Sequence, residues 1–362
     1  MSDEEKHLIL DALIERDASF AICRLPGETE PRFVMQQSGT PLRLQDLESL
    51  NDQKGFVVAP FRITPSSPLL VIRADQTVMP QLSDLLVTPA SEQFEETKKT
   101  NDPERVHGGK IDYRERFLQF MQPLRSGRLE KVVLSRCKCV VRRKGFSPGR
   151  TFWRAAQKYE RSCVYLFHTP ESGTWLGSTP EIILTGKENN WQTVALAGTR
   201  YPRSGHVSWD DKNLREQHLV TSYLLRQLTS FRITPEIHGP YTARAGNLAH
   251  LKTDIRFELP AETAIGSLLQ ALHPTPAVSG LPKEDAFDFI QNHEGYDRRY
   301  YTGFLGMLDR EAETTLYVNL RCMQIGKNRL TLFAGSGLLA SSSCREEWKE
   351  TEQKIGTMGS II

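Results

Sequence analysis

The sequence predicts an α+β fold. Segments with apolar residues at helical spacing are interspersed with short runs that alternate or are continuously apolar, as strands do. The first third reads as mostly β, the rest mixes both kinds of element, and no internal repeat or low-complexity segment is present. Residues 3–17 carry Ile9, Leu10, Leu13 and Ile14 on one helical face, and strands are expected at 19–25, 32–35, 56–61 and 68–72. From 74 to 112 the chain turns polar, with a Gly-Gly pair, which reads as a mobile connection. An organisational boundary is therefore placed near 105. Residues 1–105 form a mostly β part that completes the sheets of 106–362, and the two make one compact unit. Beyond the boundary, helices are expected at 112–125, 149–158, 210–228, 261–272, 283–293 and 343–357. Strands are expected at 131–141, 163–168, 182–184, 191–195, 303–308, 316–325 and 329–333.

Composition narrows the function classes. With 362 residues, 39% hydrophobic and 25% charged, the chain is an ordinary globular protein, and collagenous, coiled-coil and wholly disordered readings are excluded. A net charge of +2 with no long basic tract argues against nucleic acid or an anionic membrane as partner, so any bound anion is expected to be small. No window approaches the length of a spanning helix and the first residues are acidic, which points to the cytoplasm. The six cysteines show no CxxC pair and read as reduced core residues rather than zinc ligands. GxGxxG, GxxxxGK[ST], HExxH and GxSxG are all absent, so neither ATP nor NAD is indicated.

Several segments carry groups suited to chemistry. In 131–139 the alternation puts Lys131, Val133, Ser135, Cys137 and Cys139 on one face and Arg136 and Lys138 on the other. A lysine opening the less charged face is a candidate base through desolvation, or a lysine snorkelling at a strand end. In 316–325, Arg321 lies on the polar face, where its planar fork suits a carboxylate or simply solvent. In the last helix Glu347, Glu350 and Lys354 share a face, so two carboxylates stand side by side. An oxygen-seeking ion such as Mg2+ would relieve their repulsion; a solvated acidic first turn is the plainer alternative. Glu216 continues an apolar stripe with Val220 and Leu224 and points to the packed side. Glu181 follows a proline in a turn, where the run 182–184 would shield it and keep it protonated as a general acid, unless it faces solvent. The glycine- and proline-punctuated runs 196–200 and 272–280 offer hydroxyls and backbone amides to an anion, or are plain loops.

Taken together, KVVLSR, LGSTPEIIL, LAGTR, KNLREQHLV, LHPTPAVSGLP, DRRYYTGFLGMLD, YVNLRC, FAGSGLLASS and EEWKETEQK occur in this order between Lys131 and Lys354. In this the chain resembles the chorismate-utilising enzymes, most closely the isochorismate synthases. The resemblance covers the last two thirds of the chain; the first third matches only in its β character. It implies a chorismate-binding fold like that of anthranilate synthase component I, with layered sheets, helices and a central cleft. It also implies an enzyme converting chorismate to isochorismate, in which Lys131 acts as general base toward water at C2 and Glu181 as general acid toward the C4 hydroxyl. By the same resemblance Glu216, Glu347 and Glu350 surround Mg2+, Tyr301 and Arg321 hold the pyruvyl carboxylate, and Gly198, Thr199, Gly335 and Lys354 line the substrate cleft. Lys131, where amine-forming relatives usually carry glutamine, and Ala197 fit the water users, so no glutaminase partner is expected, and a monomer is. A salicylate synthase, which goes on to eliminate pyruvate, is the nearest alternative; a non-catalytic chorismate-binding module is another. Two departures stand out: Asn213 replaces a frequent acid three residues before Glu216, and Arg299 replaces the glycine of an R-G-x-Y-x-G segment.

Overall fold

The computed structural model describes residues 2–87, 109–200, 207–245, 248–260 and 262–362; the boundary expected near 105 lies outside these. Two antiparallel sheets dominate. The eight-stranded sheet runs β13 (Gly280–Leu281), β6 (Lys131–Val141), β17 (Arg329–Leu338), β16 (Cys322–Ile325), β8 (Gly173–Thr179), β7 (Cys163–Thr169), β1 (Phe20–Arg24) and β2 (Arg32–Met35). The nine-stranded sheet runs β11 (Glu236–Ala245), β12 (Leu248–Glu258), β10 (Asn190–Arg200), β9 (Ile182–Lys187), β15 (Thr314–Val318), β14 (Phe304–Leu308), β4 (Gly55–Ala59), β5 (Leu69–Ile72) and β3 (Leu42–Leu44). The N-terminal strands therefore supply the end of both sheets.

Alternation along the strands gives each sheet an inner and an outer apolar face. Tyr165, Trp175 and Phe333 of the first sheet and Phe56, Leu70 and Tyr317 of the second belong to one buried cluster, with the Trp175 and Phe333 rings stacked at 5.5 Å. Burying each such side chain contributes about 1.5–3 kcal/mol. The helices α1 (Asp3–Glu15) and α4 (Pro148–Lys158), with the last turns of α8 (Cys344–Gly359) and the short α2 (Leu82–Val87), cover the first sheet. The second is covered by α5 (Asp211–Ser230) and α6 (Ile265–Leu272), and α3 (Lys110–Arg125) and α7 (Lys283–His293) close over β6. Local signals set the helix starts: Ser2 and Glu5 form a capping box on α1, and Asp210 accepts from the Asn213 amide at 3.0 Å to cap α5.

Three expectations need correction. The run 316–325 is two strands, β15 in one sheet and β16 in the other, and the chain crosses between them at 319–321. The apolar alternation of Leu316, Val318 and Cys322 continues through the crossing because both strands are buried, so a period-2 pattern does not reveal it. In β6 the residues from Lys131 to Cys137 are buried on both faces, Arg136 included, while Cys139 is exposed and not a core residue. The long hairpin of β11 and β12 goes unmarked in the sequence because lysine, arginine, threonine and glycine interrupt its apolar residues, whereas the short strand expected to end in the turn at Glu181 is β8.

Arg299 takes the left-handed conformation, φ +53°, that a glycine holds without strain. Its carbonyl accepts from the Phe61 amide at 2.8 Å, so the segment keeps its turn and tolerates arginine. Arg299→Gly removes a left-handed penalty of about 1–2 kcal/mol against an unfolded-state entropy cost of about 0.4–1 kcal/mol. A gain of about 0.5–1 kcal/mol in urea unfolding is the expected outcome; a loss would mean that the arginine side chain itself holds the turn.

Candidate functional site

Where β6, β17 and α8 of the first sheet's side meet β10, β12 and α5 of the second, the structure encloses a narrow cleft of about 50 Å³. Nine of the eleven site residues expected from the sequence line it: Glu181, Gly198, Thr199, Glu216, Tyr301, Arg321, Gly335, Glu350 and Lys354. The other two, Lys131 and Glu347, stand just behind this lining. Lys131 is fully buried with its Nζ 2.9 Å from Glu216 Oε1, and Glu347 is buried and reached by Lys212 Nζ at 2.6 Å. Lys131 is thus paired with a carboxylate, where the strand pattern alone gives only a less charged face.

Charge alternates through the cleft wall. Lys131 faces Glu216, Lys212 faces Glu347, and Lys354 donates to Glu350 at 2.7 Å and to the Gly335 carbonyl at 2.9 Å. Burial alone would raise the Glu216 carboxyl, but Lys131 and Lys212 outweigh it and hold the group below the ordinary value. Burial would likewise lower the Lys212 ammonium, and Glu216, Glu347 and Glu350 together raise it instead. Glu347 is pushed up to about 7, by burial and by Glu350 beside it, against the pull of Lys212. Its Oε2 makes no well-aligned hydrogen bond, and neither does Lys131 Nζ.

Glu181 sits between β8 and β9, 2% exposed, and burial raises its carboxyl to about 7 although Lys131, Arg321 and a 3.4 Å hydrogen bond from Thr275 oppose the shift. At neutral pH it exists in both protonation states, as a group that gives and takes a proton must. Glycines make room for these side chains. A Cβ at Gly337 would collide with Glu216 Oε1 and stand 3.1 Å from Lys131 Cε, so the ion pair lies where β17 has no side chain. Gly198, at φ +66°, turns the end of β10 beside Asn213. Asn213 itself is bonded to the Asp210 cap of α5, through its backbone amide and its Nδ2.

The sequence reading missed His250 and Lys212. The buried His250 shares Nδ1 with the Gly198 carbonyl at 2.9 Å and Nε2 with Arg321 Nη2 at 3.1 Å. Burial, Arg321 and Lys354 push its pKa well below the ordinary value, so the ring is neutral, with Nδ1 donating and Nε2 accepting. It fixes the tip of the Arg321 guanidinium. Its signal was a histidine in the apolar run of β12, a strand the reading did not recognise. Lys212 lies one turn before Glu216 in α5, a spacing that sets both on one face.

Residues 51–362 match the family model of the chorismate binding enzymes. The chain belongs to that family. Among its relatives, isochorismate synthase MenF of Haemophilus influenzae is 32% identical over 67% of this chain and 59% of its own length. The salicylate biosynthesis isochorismate synthase of Pseudomonas aeruginosa is 35% identical over 65% of this chain and 51% of its own. The matched region thus spans less than two thirds of these relatives. Among solved structures, MenF of Escherichia coli superposes with a TM-score of 0.77 at 21% identity, covering 97% of this chain and 90% of that one. Anthranilate synthase component I of Streptococcus pneumoniae gives 0.67 at 17%, covering 94% of this chain and 89% of that one. These two likenesses establish the chorismate-binding fold. Among the described residues no helix is long and apolar enough to cross a membrane.

The raised Glu181 carboxyl sets a sign for stability. Its proton is held more tightly in the folded state, so the stabilisation is fully present below the unfolded value near 4.5 and is lost as pH rises through about 7. Glu181→Gln, which keeps shape and never ionises, is expected to match the parent at pH 5 and to exceed it by about 1–3 kcal/mol at pH 8. Urea unfolding at the two pH values checks this; an equal difference at both would place the titration elsewhere.

Proposed function

We propose that this chorismate binding enzyme is an isochorismate synthase, catalysing the Mg2+-dependent, reversible conversion of chorismate to isochorismate. One observation carries the reading: a carboxyl group poised near neutrality, Glu181, shares a cleft with the buried Lys131–Glu216 pair, and the wall supplies Arg321 and Lys354 to a dianionic substrate. The isochorismate synthases among its relatives support it. Water attacks C2 and gives its proton to Lys131 Nζ, the ring double bond shifts, and the C4 hydroxyl leaves with a proton from Glu181. Lys131 must be neutral to accept that proton, and Glu216, 2.9 Å away, holds its Nζ in place. The cleft is narrow, and Lys354 and Glu350 are the lysine–carboxylate pair that lines it. Arg321, steadied by His250, and Tyr301 then hold the side-chain carboxylate, and fixed charge supplies much of the rate enhancement.

The donor chemistry fits Mg2+. Glu347 and Glu350 offer hard carboxylate oxygens, and beyond burial the neighbouring Glu350 helps to raise the Glu347 carboxyl, as two adjacent acids short of positive charge do. Among the described residues no three acids stand together as a ready cage, so an ion here would complete its shell with water and substrate oxygens. When bound, the ion would neutralise the substrate's ring carboxylate; Glu216, Glu347 and Glu350 are the residues to hold it. The protein would work in the cytoplasm, without a glutaminase subunit, and as a monomer.

Incubation with chorismate and Mg2+ is expected to yield isochorismate without pyruvate, separated by chromatography; salicylate with pyruvate would move the reading to a salicylate synthase. Lys131→Ala and Glu181→Gln are each expected to lower turnover by about 100-fold or more, and near-normal turnover in either removes that residue from its role. Excess EDTA should abolish activity and added Mg2+ restore it, whereas full activity in EDTA would reject the metal site.

A further inference from the structure

The crossing between the two sheets passes through Asn319, a residue the mechanism above does not use. Asn319 is 1% exposed, and every polar group it owns is bonded. Its backbone amide donates to the Gly303 carbonyl at 2.8 Å, its carbonyl accepts from the Thr302 amide at 2.9 Å, and its Nδ2 donates to the Tyr300 carbonyl at 2.8 Å. Its Oδ1 accepts from the Tyr165 hydroxyl, which reaches across the first sheet from β7. One side chain thus stitches the segment that carries Tyr301 to the turn that carries Arg321.

Two features show that this stitching works against the backbone's own preference. Arg321 and Thr302 both sit in left-handed conformations, φ +45° and +63°, which cost a non-glycine residue about 1–3 kcal/mol each and persist only where the surroundings over-determine them. The path of the Tyr165 hydroxyl is also kept open. A Cβ at Gly177 of the neighbouring strand β8 would collide with Tyr165 Oη and stand 2.9 Å from Cys322 Cβ, on the residue that follows Arg321. The glycine of LGSTPE therefore serves the clamp.

We propose that Asn319, clamped by Tyr165, is a positioning residue. It sets the separation and aim of Tyr301 and Arg321, and so the affinity of the cleft for the carboxylate on the substrate's side chain. This rests on the reading of the cleft as a chorismate site. The role differs from that of His250: His250 holds the guanidinium tip, whereas Asn319 holds the backbone from which the arginine departs. A loss at Asn319 therefore weakens carboxylate binding first, since Lys131 on β6 takes no part in the crossing.

The test is steady-state kinetics with chorismate and Mg2+ on Asn319→Ala, the milder Tyr165→Phe, Arg321→Ala, and the doubles that combine either clamp variant with Arg321→Ala. The expected result is a KM raised about tenfold or more in Asn319→Ala, and less in Tyr165→Phe, with kcat within about threefold of the parent. In the Arg321→Ala background the clamp substitutions should change kcat/KM by less than about twofold, because the group they position is gone. A fall in thermal stability with KM unchanged would overturn the proposal, and so would losses that multiply in the doubles. If Asn319→Ala does not fold, Tyr165→Phe and its double decide by the same criteria. A parent enzyme that leaves chorismate unchanged would overturn the functional reading and this proposal together, whereas an active parent with independent losses would overturn only the proposal.

Discussion

Between Lys131 and Glu216 a full positive and a full negative charge face each other where water does not reach the lysine at all. Removing two charges from water costs several kcal/mol per ion, and only their mutual attraction offsets it. That constraint propagates outward. Glu216 sits on α5, whose start is fixed by the Asp210 cap, and Lys131 opens β6, which α3 and α7 cover. Gly337 of β17 leaves the gap the pair occupies. Lys212 and Lys354 extend the same alternation to Glu347 and Glu350, so a series of ion pairs stands in and behind the wall of the cleft. Such a wall is well suited to exchange internal partners for those of an anionic ligand.

The two halves of the site are built differently. The side around Lys131 is held by ion pairs, two of which join separate elements, Lys131 of β6 to Glu216 of α5 and Lys212 of α5 to Glu347 of α8. The side around Arg321 is held by hydrogen bonds around a crossing, with two left-handed residues and a buried amide. Charges can regroup when a ligand arrives; a hydrogen-bonded crossing keeps its shape. The cleft thus joins an adaptable wall to a rigid one.

Much of this was legible in the sequence. β2, β6 and α7 begin and end within a residue of where periodicity put them, because long regular patterns and clean punctuation mark them. The shared face of Glu347, Glu350 and Lys354 and the shielding of Glu181 followed from helical spacing and from a proline beside an apolar run. What stayed hidden were properties of the third dimension. A period-2 pattern is blind to a strand that changes sheets, so Arg321 was read on a solvated or cleft-lining strand face rather than at a crossing. Desolvation of Lys131 was inferred without its partner, because Glu216 lies far along the chain and comes near only when the sheets pack. His250 was missed because its strand carries lysine, threonine and aspartate within its buried run.

The distribution of the first strands has a consequence for how the molecule is made. β1 pairs with β7, Phe20 opposite His168, and β4 pairs with β14, Phe56 opposite Met307. The earliest part of the chain thus completes sheets whose other members emerge much later, which gives the fold a high contact order and makes slow folding the physical expectation. Until those late strands arrive, β1 and β4 present unpaired edges of apolar sequence, the kind that invites pairing with other chains. The same arrangement ties both sheets to one N-terminal segment, so cleavage within it would strip an edge from each sheet at once.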